Sequence, residues 1–382
     1  MSNALSFQIF DTANQIPIEI WQKAIPPHNL LHHFSYLHLQ ESNQQDKMQF
    51  FYALIKENNE TIGVAYFQVV HFTGEQLKDY TKNSGKVLAI IQNTILKLVS
   101  VRLLIGANLF MSGEKGMYWL KDLPQQTKAD YYQTLVMHLL QTKKSLNAFL
   151  MTDIYDEDTC LTNAFEQNKF NRIYEEPDMI MQMNPKWNSF DDYLNAFSSK
   201  YRVRTKRCFV QSKDLERKNL SVQEVQNLDA QLYQLYENTM SQASFSLAKL
   251  QPGYFAAQKE LMPEAYQVFG YFLEGKLVGF NSLFCLNGKG EVHYVGLNYE
   301  VNKETHIYQR MLYDIVSCGI ENKLSTLHFG RTASEIKSTI GATPINVHGY
   351  ILHKNSLINN YIIKPMAKAI KPKEFVFRNP FK

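Results

Sequence analysis

The feature that most constrains this chain is a pattern written twice. Residues 51–70 read FYALIKENNETIGVAYFQVV, and residues 271–286 read YFLEGKLVGFNSLFCL. Each is a pair of β-rich runs joined by a short polar turn, the mark of a hairpin. From Gln49 to Met183 the order reads strand, strand, long helix, strand, helix, strand, helix, strand. From Tyr266 to His353 it reads strand, strand, strand, helix, strand, helix, strand. A repeated αβ unit of this size predicts two fused domains with a shared cleft, the kind of place where small ligands bind. The boundary is expected at Asn184-Pro185-Lys186-Trp187-Asn188, because proline disfavours helix in the residue before it. The expected domains are therefore 1–184 and 185–382. Ser189 is the expected N-cap of the next helix, with Asp191 and Asp192 in its first turn.

Composition excludes several classes. With 45% hydrophobic residues, 24 Phe and 22 Tyr, the chain has ample material for cores and is not a disordered sequence. A net charge of +4 over 382 residues neither requires nor excludes a polyanionic partner. No basic stretch followed by an apolar run opens the chain, so a secretory signal is not expected. Cys160, Cys208, Cys285 and Cys318 are scattered without a CxxC pair, which argues against zinc and for a reducing cytoplasm. His32, His33 and His38 lack acidic or cysteine companions, so no metal site is expected there. The most apolar segment, residues 86–105, carries Lys86, Asn93, Lys97 and Ser100 on one helical stripe. It reads as a core helix, and no membrane span is expected. The segment SGEKG at 112–116 reads as a turn before it reads as a phosphate nest.

Residues 327–352, LHFGRTASEIKSTIGATPINVHGYIL, hold a strand ending in Phe329-Gly330-Arg331, a short helix with Lys337, and Gly341 ahead of the last strand. With the strand order, this resembles the Gcn5-related N-acetyltransferase (GNAT) superfamily, and within it the FemAB-like branch, which includes peptidoglycan-bridge enzymes. The basic stretch SSKYRVRTKR at 198–207 matches the entry helix of that branch's second copy, expected over 190–210. The resemblance implies an α/β (α+β) fold: a tandem pair of GNAT-like domains, each a mixed, mostly antiparallel sheet flanked by helices. It implies an acyltransferase that moves an acyl or aminoacyl group from acyl-CoA or aminoacyl-tRNA to an amine. No permanently bound cofactor is implied, and the partners are a small-molecule or peptide amine and tRNA. Ordinary acetyltransferases wrap the coenzyme A pyrophosphate in a Q/R-x-x-G-x-G/A loop. Residues 298–310, NYEVNKETHIYQR, stand at that position without a glycine.

The candidate site residues follow from chemistry and placement. Arg331, just past a predicted strand, is read as a clamp for a phosphate or carboxylate, or as a surface ion pair. Glu335 could orient Arg331 or take the amine's proton, and Lys337 could meet a donor phosphate. His293 and Tyr294 are expected on opposite faces of one strand, with His293 a candidate general base. Tyr308 could protonate a leaving group or lie in the core. Asn281, polar in an apolar strand, needs a partner if buried and could hold a substrate amide. Lys200, Arg204 and Arg207 share one helical face, so they attract an anion or stay solvated. The competing readings are a non-catalytic ligand-binding or scaffold protein with a degenerate fold, and an RNA-binding module built on that face.

Overall fold

The computed structural model describes residues 4–26, 29–73, 100–106, 108–112, 115–242, 246–370 and 374–382. Two compact units divide the chain. The first is residues 1–175 with 244–250 and 346–372; the second is 176–243 with 251–345 and 373–382. The first unit begins with β1 (Leu5–Phe10), β2 (Met48–Glu57), β3 (Glu60–Thr73) and β4 (Ser100–Ile105), then β5 (Met117–Trp119), β6 (Ala148–Tyr155) and β7 (Asn171–Tyr174). The second holds β8 (Asp178–Gln182), β9 (Glu216–Asn219), β10 (Tyr266–Leu273) and β11 (Lys276–Leu286), then β12 (Lys289–Leu297), β13 (Thr326–His328) and β14 (Thr343–Ile345). The last strand, β15 (Val347–His353), belongs to the first unit.

Each unit is built on one mixed, mostly antiparallel sheet flanked by helices. The first sheet runs β1-β2-β3-β4-β6-β15-β7 with β5 on β3; the second runs β14-β8-β13-β12-β11-β10-β9. Each has one parallel pair among its described strands, β4 with β6 and β12 with β13. The repeated hairpins have one cause. Asn58 and Asn59 (φ 49° and 68°) join β2 to β3, and Glu274 and Gly275 (φ 51° and 74°) join β10 to β11. A two-residue turn with both φ positive matches the right-handed twist of paired strands.

In the first unit the helix Gln125–Thr142 buries Tyr132, Leu135, Val136 and Leu139, a helical stripe laid on Phe67 and Phe149 of the sheet. In the second unit alternation along β11 assigns the two faces. Phe280 meets Phe255 of the helix Tyr254–Leu261, and Tyr236 of the helix Val222–Gln242 meets Tyr294 beside it. Asn281 points the other way, towards the helix Ile307–Glu321.

Several local expectations change. The strand at 178–182, expected to close the first sheet, pairs with β13 and β14 of the second. The final β run, expected as one strand over 345–352, splits at Asn346 into β14 in the second sheet and β15 in the first. The basic helix expected over 190–210 is two helices, Phe190–Ala196 and Ser199–Gln211. The C-terminal tail breaks it: Phe197 bridges Phe381, and Ser198 N donates to Pro380 O (2.9 Å). Ser189 caps the first of these helices, with Asp192 completing a capping box. Of the segment expected as a core helix over 86–105, residues 100–105 are β4; residues 86–99 lie outside the described residues, as do Gly113 and Glu114 of SGEKG.

Candidate functional site

The second sheet opens where its parallel pair ends. β12 pairs with β13 only at Lys289↔Thr326, Gly290↔Leu327 and Glu291↔His328. Past His328 the chain stays with β8: Phe329 N donates to Met179 O (2.8 Å), and Met179 N donates to Gly330 O (3.3 Å). β12 continues alone on that side to Leu297. The two strands therefore part immediately after Glu291 and His328, leaving a notch at their C-terminal ends. Open α/β sheets bind ligands at such ends.

At the root of the notch lies a histidine between two carboxylates. His328 Nδ1 is 3.5 Å from Glu291 Oε1 and 3.6 Å from Asp178 Oδ2. The side chains are 17%, 22% and 1% exposed for His328, Glu291 and Asp178, so the imidazole is accessible and Asp178 is not. Register explains the grouping. Glu291 is directly opposite His328, and Asp178 lies two residues from its β8 partner Ile180, on the same face. Both carboxylates lie on the Nδ1 side of the ring, close enough to favour a positive charge on it by Coulomb attraction. None of the three was singled out from sequence. The available signal was a histidine two residues before Gly330 at a strand end.

His293 faces the same side as this cluster. Asn281 pairs with Val295 and Leu283 with Val292, so His293 and Tyr294 together oppose Ser282 in a β-bulge. Tyr294 N donates to Ser282 Oγ (3.1 Å). The bulge overturns the expected alternation: the His293 and Tyr294 rings are 4.4 Å apart on one face. His293 Nδ1 is 3.2 Å from Tyr266 Oη, and its ring packs on Phe284, the β11 partner of Glu291.

The loop after His328 is strained and pinned. Gly330, Thr332 and Ala333 all have positive φ (69°, 67° and 51°), and such a conformation costs a β-branched threonine about 1–3 kcal/mol. Lys337, 5% exposed, donates its three N–H groups to Phe329 O (2.7 Å), Gly330 O (3.1 Å) and Arg331 O (2.7 Å). An ammonium has three donors. Lys337 thus holds the loop from beneath, in place of the donor-phosphate contact expected of it. Burial pushes its pKa down to about 7, against the pull of Asp178 and Glu176. Arg331 is half-buried at the loop. Glu335 accepts from Arg378 Nε (3.2 Å) and Nη2 (2.9 Å).

The other candidates separate. Asn281 is fully buried and donates to Tyr271 Oη (3.2 Å), which donates to Asp314 (3.0 Å). Arg310 donates to both Asp314 oxygens (2.9 and 3.0 Å) and to Ser212 Oγ (3.1 Å). This network lies under the helix on the face away from the His328 cluster, so Asn281 serves the core and is not open to a substrate amide. Asp314 is 5% exposed. Tyr308 packs among the apolar residues of the second unit, and burial pushes its hydroxyl up to about 12. Lys200, Arg204 and Arg207 are exposed along the helix Ser199–Gln211, whose other side buries Thr205 and Cys208. No group of His, Cys, Asp and Glu among the described residues suits a metal ion.

A family model for FemAB-like proteins, concerned with peptidoglycan biosynthesis and recognition, matches residues 116–371. The chain belongs to the FemAB-like family. Its fold is similar to the crystal structure of FemX, with a TM-score of 0.53 at 12% identity over 94% of this chain and 99% of that one. It is also similar to a tandem GNAT protein from the clavulanic acid biosynthesis pathway, with a TM-score of 0.50 at 7% identity over 92% of this chain and 99% of that one. No curated protein matches it. The fold is the tandem GNAT fold that the sequence pattern implies.

This FemAB-like protein has no pyrophosphate cradle after β12. Asn298 Oδ1 accepts from Glu300 N (3.0 Å) and Val301 N (3.5 Å), and Asn302 Oδ1 accepts from Tyr308 N (3.0 Å). At these two helix starts the Glu300, Val301 and Tyr308 amides, which could otherwise face an anion, are taken by the chain's own side chains.

Proposed function

We propose that this FemAB-like protein transfers an aminoacyl group from a charged tRNA to an amine of a peptidoglycan precursor, with His328 as the general base. The observation that carries the reading is the histidine held between Asp178 and Glu291 where β12 and β13 part. The neutral amine attacks the ester carbonyl carbon. His328 Nε2 takes the proton that the nitrogen sheds as the C–N bond forms. The C–O bond to the carrier breaks, and the departing oxygen receives that proton. Asp178 and Glu291 stabilise the transient imidazolium. His328 takes the role expected of His293, whose Nδ1 faces Tyr266 Oη and whose Nε2 is buried. Arg331 and the exposed Lys200, Arg204 and Arg207 supply positive charge for the carrier's phosphates. Glu335 and Lys337 keep the surrounding loops in place. A cytoplasmic setting fits the four free cysteines.

Aminoacyl-tRNA is favoured over acyl-CoA because the segment after β12 has no glycine and Asn298 and Asn302 occupy three of its first-turn amides. The same observation supports a second reading, a binding protein without catalysis. One experiment separates them: incubation with charged tRNAs, acyl-CoAs and peptidoglycan-precursor amines, followed by mass spectrometry. The expected result is amide formation from aminoacyl-tRNA and none from acyl-CoA. Transfer from acyl-CoA alone overturns the donor; no transfer from any donor overturns the enzyme.

A further inference from the structure

Residues 356–369 form one helical run on the first unit: Ser356–Ile358, a wider turn over Asn359–Ile363, then Lys364–Ala369. Its inner side is fixed. Asn359, 3% exposed, accepts on Oδ1 from Asn171 Nδ2 (3.0 Å) and His353 N (3.0 Å), and its Nδ2 donates to Lys169 O (3.1 Å). Ala367 is buried below it. The outer side is apolar. Leu357, Tyr361, Ile362 and Met366 are 66%, 77%, 57% and 43% exposed. They are four of the eleven exposed large apolar side chains among the described residues, gathered in ten positions. A cluster of this kind marks an interaction surface, whereas scattered apolar residues do not.

The charge around the cluster identifies the partner. Lys354, Lys364 and Lys368 are exposed, and no Asp or Glu occurs from Lys354 to Ile370. Apolar and tyrosine side chains on one side, lysines at the margins and no carboxylate describe a helix that lies in the headgroup layer of an anionic bilayer. At 1.5 Å per residue the run is about 21 Å long, too short to cross the hydrocarbon core. The geometry points to residues 356–369 as a surface anchor that seats this protein on anionic phospholipid. The inference goes beyond the transfer reaction, and its test reads binding rather than turnover.

The full-length chain is sedimented with vesicles of phosphatidylcholine alone and of phosphatidylcholine mixed with phosphatidylglycerol. Binding is expected to the anionic vesicles only, falling as salt rises. The variant Leu357→Asp with Ile362→Asp is expected to bind at least about tenfold more weakly, with unchanged thermal unfolding. Should it misfold, Leu357→Ser with Ile362→Ser replaces it and carries the same expectation. Absence of wild-type binding to anionic vesicles, or equal binding by a folded variant, overturns the proposal. So does a wild-type dimer, seen by light scattering, that the substitutions split into monomers, because the face would then belong to a second copy.

Discussion

His328 owes its position to backbone register rather than to any local motif. It sits across from Glu291 on one side and diagonal to Asp178 on the other, so three strands supply one cluster. The loop that follows is costly, and Lys337 offsets the cost with three hydrogen bonds to consecutive carbonyls. That arrangement has a pH signature. Lys337 is pushed down to about 7 in the folded chain by burial, against an ordinary value of 10.5. Between those two values the unfolded chain binds the proton and the folded chain gives it up, together with one of the three donors, so this residue's contribution to stability rises with pH across the window. The unfolding free energy of wild type minus that of Lys337→Met is expected to increase from about pH 7 towards pH 10. A flat difference would mean that Lys337 keeps its proton throughout.

At the scale of elements, the hairpins and their turns were legible because two-residue turns with Asn, Glu and Gly at positive φ leave a local signature. The N-cap at Ser189 was legible for the same reason, and the structure adds the reciprocal bond to Asp192. The bulge at His293 and Tyr294 was not, since one extra residue reverses every later side chain and nothing in EVHYVGL marks it. The break at Phe197 was hidden because its cause, the strand-like tail at Phe381, lies far along the chain. The Arg310–Asp314 pair, one helical turn apart, is largely buried, with burial pushing the Asp314 carboxyl up and Arg310 pulling it down. Arg310→Met leaves that carboxylate without its main partner under the sheet and is expected to lower stability by about 3–5 kcal/mol in urea unfolding. A loss below about 1 kcal/mol would place the pair in effective contact with water.

At the scale of the whole molecule, the repeat predicted a tandem fold, and family and structural likeness agree with it. Chain order did not reveal that β8 joins the second sheet and β15 the first. Strand pairing between distant segments leaves no local trace, and Asp178 enters the cluster only through that pairing. This is why the sequence pointed to His293 and the Arg331 loop while missing Asp178, Glu291 and His328. The account therefore turns on the notch between β12 and β13. The most direct test is the single-turnover rate of aminoacyl transfer to a precursor amine by His328→Gln, measured against wild type and His293→Gln. The expected result is a loss of about 100-fold or more for His328→Gln, with a smaller loss for His293→Gln and unchanged unfolding for both. A His328→Gln rate within about twofold of wild type would contradict the assignment.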